Sequence, residues 1–199
     1  MGGPRRAGLV LAGGRSSRFG GEKAVAVLEG RPLLAWSLSA LQTCCAAVAV
    51  SAAAGSGAEA WARSAGIPVL HDDPGHARGP LAGLAAGLGW AAGEGFNTLA
   101  TLPCDTPGVG LTHLGPLFEA AVGAPAAFAE TADGPHPLCA VWRVSLLPLI
   151  AVRLAGGEHP SVRGLLSELG AVSVRFADPS PFRNMNRLAD LEGPGGTGA

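Results

Sequence analysis

The chain has 199 residues, 48% of them hydrophobic and 15% charged, with a formal net charge of −1. That length gives one domain with a sizeable core. The near-neutral charge offers no overall pull toward nucleic acid or an anionic membrane surface. No apolar stretch reaches the roughly 20 residues of a membrane-spanning helix. The opening apolar run ends at Arg15 without a cleavage pattern, so it reads as a buried strand and not as a signal peptide. Cys44, Cys45, Cys104 and Cys139 form no C-x-x-C pair. Neither a zinc site nor a disulfide framework is expected, the four read as small core residues, and a reduced cytoplasmic setting follows.

Strands and helices alternate along the chain. Ala7–Ala12 is a short apolar run before a glycine loop, a buried parallel strand. Pro32–Cys44 carries Leu33, Leu34, Trp36, Leu38 and Leu41 at helical period, with proline in its first turn. Ala46–Val50 reads as a strand, Glu59–Ala65 as a brief helix closed by Gly66, and Ile67–Leu70 as a third strand. Leu81–Ala92 is helical by period despite its glycines. Thr98–Leu102 is a strand and Leu111–Val122 a helix. Ala126–Glu130 and Leu138–Trp142 follow as strands, Ser145–Ala155 and Val162–Leu169 as helices, and Ala171–Phe176 as a late strand. Ser161 is placed to cap the helix that follows it. The order predicts an α/β fold, three layers with a mostly parallel sheet, in one domain over residues 1–192. Its halves fall at about 7–110 and 111–192, and the glycine-rich tail 193–199 is expected to be disordered. Ligands of such sheets bind beyond the carboxyl ends of the strands. The candidate ends are Ala12-Gly13-Gly14, Ser51, His71-Asp72 and Cys104-Asp105.

Lys23 is the only lysine in the chain, and it closes the run Leu11-Ala-Gly-Gly-Arg-Ser-Ser-Arg-Phe-Gly-Gly-Glu-Lys23. Glycines Gly13, Gly14, Gly20 and Gly21 let backbone amides approach an anion, and Arg15, Arg18 and Lys23 add charge. An ammonium is a compact point charge where a guanidinium is a wide fork, which suits crowded phosphate oxygens. The run lacks the Gly-Lys-Ser/Thr of a Walker loop and the G-x-G spacing of a dinucleotide fold. It reads as a phosphate-binding loop; the bland alternative is a surface loop with solvated arginines. Asp105, between Pro103 and Pro107, displays one carboxylate at a strand's end. Mg²⁺ bound with phosphates takes only one or two protein carboxylates. The bland alternative there is an aspartate shaping its own turn.

Four segments in order complete the pattern: the 11–23 loop, Gly79-Pro-Leu-Ala-Gly83, Leu102-Pro-Cys-Asp-Thr-Pro107 and Phe182-Arg-Asn-Met-Asn186. Together they resemble the molybdenum cofactor guanylyltransferases, within the wider group of nucleotidyltransferases that also act on sugar phosphates. Phe19 stands where that family usually has methionine, Glu22 where it has aspartate, and Ser51 where it often has asparagine. Arg187 and Leu188 replace a common threonine and proline. The resemblance implies a nucleotide-diphospho-sugar-transferase-like fold with a Rossmann-like nucleotide-binding half. It implies nucleotide contacts from Leu11, Ala12, Gly13, Gly14, Lys23, Ser51, Asp72, Gly79, Pro80, Leu81 and Asp105. Lys23, Arg18 and Asp105 would be catalytic, Asp105 would hold Mg²⁺, and His136, Asn184 and Asn186 would meet a pterin. The implied reaction transfers GMP from GTP to the terminal phosphate of molybdenum-molybdopterin and releases pyrophosphate. No nucleic acid or membrane partner is implied; transient contact with proteins that deliver or accept the cofactor is, from a monomer or weak oligomer. The alternatives are a molybdopterin cytidylyltransferase, another small-substrate nucleotidyltransferase, and a non-catalytic nucleotide-binding protein.

Overall fold

A computed structural model describes residues 5–13, 22–71, 79–157 and 160–186. In chain order the elements are β1 (Arg6–Leu11), β2 (Val27–Leu28), β3 (Arg31–Pro32), α1 (Leu33–Gln42), β4 (Ala47–Ser51), α2 (Gly57–Ser64) and β5 (Val69–Leu70). There follow α3 (Pro80–Gly93), β6 (Thr98–Pro103), α4 (Leu111–Ala120), β7 (Ala126–Thr131), β8 (Gly134–Arg143), α5 (Leu147–Ala155), α6 (Val162–Glu168) and β9 (Val172–Arg175). Seven strands form one sheet in the order β5-β4-β1-β6-β8-β7-β9. The pairs β5/β4, β4/β1, β1/β6 and β7/β9 are parallel, and β8 alone runs against its neighbours β6 and β7.

Alternation along the strands builds two cores. Leu9 and Leu11 of β1 join α3, α5 and α6 through Leu84, Leu88, Ile150 and Leu165. Val10 points the other way, with Leu34 and Leu41 of α1, Ala58 of α2 and Leu117 of α4. Both faces of β1 are therefore covered, which is why it reads as a continuous apolar run. This is the expected three-layer, mostly parallel α/β arrangement. Among the described residues, no helix is long and apolar enough to cross a membrane.

Two elements differ from the sequence reading. The hairpin β2–β3 was not expected; its strands are two residues each, too short for periodicity, and its signal is the Glu29-Gly30 turn with φ of 50° and 79°. The second hairpin strand begins at Gly134, not at 138, because Gly134 at φ 120° closes a tight turn directly onto β7. His136 therefore lies within β8, opposite Ala129.

Register brings the strand ends into one row. Leu11 pairs with Ser51 and with Pro103, and Ser51 pairs with Leu70. The chain thus leaves β5, β4, β1 and β6 side by side, at His71, Ala52, Ala12 and Cys104.

Candidate active site

The row of strand ends holds a close charge pair. Lys23 begins a short 3-10 turn, Lys23–Val25, and its Nζ donates to Asp105 Oδ2 at 2.5 Å. The same ammonium donates to Asn186 Oδ1 at 2.8 Å. Three residues far apart in sequence thus converge on one point. The Lys23 and Asp105 side chains are only 12% and 16% exposed.

Asp105 is held from several directions. It lies two residues past β6, where the Pro103 carbonyl accepts a 2.8 Å bond from Ser37 Oγ of α1. Its own carbonyl accepts the Met185 N–H at 3.0 Å, tying the turn to the C-terminal segment. A few residues on, a Cβ on Gly108 would lie 2.7 Å from the Pro181 backbone, so only glycine fits that crossing. The second carboxylate oxygen, Oδ1, is buried without a hydrogen-bond partner. A buried acceptor of that kind calls for a cation or donor. One oxygen on an ammonium and one awaiting a partner suit a divalent cation with hard oxygen ligands. Among the described residues, no cluster of three or more metal-ligating side chains exists. A cation here would share its shell with phosphate oxygens.

The Gly79–Gly83 segment is explained by geometry. Gly79 has φ 156° and ψ 179°, a region open essentially to glycine alone. Pro80 starts α3 at a position where no amide hydrogen is needed. A Cβ on Gly83 would sit 2.7 Å from Ser51 Oγ and 3.0 Å from Leu11 Cδ2. Leu81 is buried in the core beneath it. Ser51, the last residue of β4, is 4% exposed against α3, and its carbonyl accepts the Ala12 N–H at 2.9 Å. It shapes the floor of the row and does not project from it. At the end of β5, the His71 ring spans the Ala52 carbonyl, 3.0 Å from Nδ1, and Glu59 Oε1, 3.2 Å from Nε2.

The second group of expected residues lies toward β7 and β8. His136 Nε2 and Thr131 Oγ1 are 2.9 Å apart, and the ring stacks on Phe182 with centroids 4.9 Å apart. Phe182 also meets Phe176 and the edge of His113, forming one aromatic nest. Burial pushes the imidazoles of His113 and His136 below the usual histidine value, so both favour the neutral form. Asn184 is exposed on the segment that leaves the nest. Asn186, the other asparagine expected beside the pterin, accepts from Lys23 at its amide oxygen.

Of the residues expected from sequence, Leu11, Ala12, Gly13, Lys23, Ser51, Gly79, Pro80, Leu81 and Asp105 lie at or beneath the row of strand ends. Gly14, Arg18 and Asp72, with Arg15, lie outside the described residues. Sequence reasoning missed one participant in the local architecture. Glu22 Oε2 accepts the Gly57 N–H at 2.5 Å and Oε1 the Ala58 N–H at 2.8 Å, both at the start of α2. Its sequence signal was an acid directly before the sole lysine. The partner could not be read, because backbone amides leave no mark in a sequence.

A mostly parallel sheet whose strand ends gather Gly13, the sole lysine and one half-satisfied carboxylate defines a nucleotide-binding α/β domain. Residues 8–172 match the MobA-like NTP transferase domain, and the chain belongs to that family. It is 40% identical over 185 residues to a molybdenum cofactor guanylyltransferase of Cereibacter sphaeroides, covering 92% of each chain. Its fold is similar to molybdopterin-guanine dinucleotide biosynthesis protein A of Archaeoglobus fulgidus, with a TM-score of 0.74 at 22% identity over 94% of this chain and 95% of that one. It is also similar to a Mycobacterium tuberculosis protein solved in complex with manganese, with a TM-score of 0.65 at 16% identity over 94% and 96% of the two chains.

Proposed function

We propose that this chain transfers GMP from GTP to the terminal phosphate of molybdenum-molybdopterin, releasing pyrophosphate. The observation that carries the reading is the meeting of Lys23, Asp105 and Asn186 at the carboxyl ends of β1 and β6. A phosphate oxygen of the pterin attacks the α-phosphorus of GTP, that P–O bond forms, and the bond to the pyrophosphate oxygen breaks. The attacking oxygen is already anionic, so no general base is required, and the work is positioning and charge neutralisation. Lys23 turns its ammonium from Asp105 to the phosphates, and the Gly13 and Gly14 amides with Arg18 add donors. Asp105, with its unpartnered Oδ1, would hold Mg²⁺. Bound there, the ion would neutralise the charge that develops on the phosphates. Asp72 would accept from the guanine edge. His136 and Asn184 would meet the pterin from the β8 side, and Asn186 would bridge that side to Lys23. The setting is cytoplasmic, and the enzyme works as a monomer or weak oligomer in transient contact with proteins that handle the cofactor. The test is incubation with GTP, Mg²⁺ and molybdenum-loaded pterin, followed by pyrophosphate release and mass spectrometry of the product. Release coupled to a guanine dinucleotide is expected; no release with any nucleoside triphosphate would refute the reading.

A further inference from the structure

Glu22 has no part in the reaction described so far, yet its side chain is tied at both oxygens. The amides it engages, Gly57 and Ala58, are the first two of α2 and have no partner within that helix. The positive end of the helix favours a carboxylate there. Gly57 is fitted to this contact, since a Cβ would lie 2.9 Å from Glu22 Oε2. The helix already has its own cap: Ser56 Oγ accepts the Glu59 N–H at 3.1 Å. The bond therefore bears mainly on the other partner, the turn that carries Lys23. That turn is closed by the Val25 N–H on the Glu22 carbonyl at 3.3 Å and the Ala26 N–H on the Lys23 carbonyl at 3.1 Å. Lys23 then reaches a carboxylate 82 positions away in sequence. A long, flexible side chain meets a fixed point reproducibly only if its backbone is fixed.

We infer that Glu22 is a positioning residue: docked on the Gly57 and Ala58 amides, it sets the backbone from which Lys23 meets the phosphates of the nucleotide. The inference rests on the role proposed above for Lys23. Two variants break the contact from opposite sides. Glu22→Ala removes the carboxylate. Gly57→Asp repels it while adding a second acid beside Glu59 in the first turn of α2, so the helix keeps its stabilising charge. Each variant is compared with wild type for GTP and guanosine affinity, turnover and melting temperature. GTP binding should weaken about tenfold, a loss of about 1.4 kcal/mol, with guanosine binding unchanged. Turnover should fall on the order of 10²-fold, the scale of an ångström's misplacement. The double variant should be no worse than the worse single one, since both cut one contact. Equal losses for GTP and guanosine, additive losses, or normal turnover in both single variants would overturn the role of Glu22. A wild-type chain inactive with every nucleoside triphosphate would overturn this inference together with the proposed reaction.

Discussion

Lys23 and Asp105 form a pair mostly withdrawn from solvent, and removing either member strands the other. A loop lysine ordinarily contributes little to stability; this one neutralises a carboxylate whose other oxygen is already without a partner. Lys23→Ala should therefore act twice. Transition-state stabilisation should fall by about 2–4 kcal/mol, the scale for losing one preorganised electrostatic donor, read as kcat/KM for GTP. The free variant should also melt below wild type, and divalent cation should raise its melting temperature by more than it raises that of wild type. Wild-type turnover at saturating GTP would remove Lys23 from the site. Asp105→Asn makes the complementary test. It keeps the shape of the side chain and removes the charge, so turnover should fall by orders of magnitude while GTP affinity falls less. Normal turnover of that variant at low Mg²⁺ would make Asp105 a turn residue only.

Helix α3 shows what an element's glycines do. Its sequence is apolar all round, and the glycines argue against a helix on propensity alone. Packing decides otherwise: a Cβ on Gly87 would lie 2.5 Å from Leu9 Cδ2 and 3.0 Å from Leu99 Cδ2. Gly83 and Gly87 let α3 settle directly on β1 and β6. Gly89 faces open space in the same helix. The two positions should respond with opposite sign. Gly87→Ala should destabilise by about 1–3 kcal/mol through overpacking. Gly89→Ala should stabilise by roughly 0.4–1 kcal/mol through the unfolded chain. Denaturant midpoints with unchanged slopes check both, and equal effects would refute the packing account. Periodicity thus revealed α3 but not the reason for its glycines, which lies on another strand. The same limit hid β2–β3, where two-residue strands carry no period, and the early start of β8, which follows from the backbone at Gly134.

At the scale of the whole molecule, the site joins segments distant in the chain. Asn186 of the C-terminal segment meets Lys23 and, through it, Asp105, and Met185 is hydrogen-bonded to the Asp105 carbonyl. The Gly79–Gly83 motif was legible because its first glycine is fixed by its own torsion angles, a local property of the backbone. The contact between Asn186 and Lys23 was not legible, because it spans 163 positions and depends on how the C-terminal segment returns to the sheet. Base choice tests this arrangement. Ser51 is buried under Gly83 and keeps only a short hydroxyl, so recognition of guanine cannot rest on an amide at that position. On the reading proposed above it falls to Asp72, whose carboxylate would accept from the guanine N1–H and amine. A pocket built around such groups rejects an analogue that leaves them unpaired. GTP should therefore exceed CTP in kcat/KM by on the order of 10²-fold or more, and Asp72→Ala should narrow that ratio while leaving the triphosphate contacts of Lys23 in place. Pyrophosphate release measured with all four nucleoside triphosphates gives the answer directly. Equal or faster turnover with CTP would move this chain to the cytidylyl branch, with the phosphate chemistry of Lys23 and Asp105 unchanged.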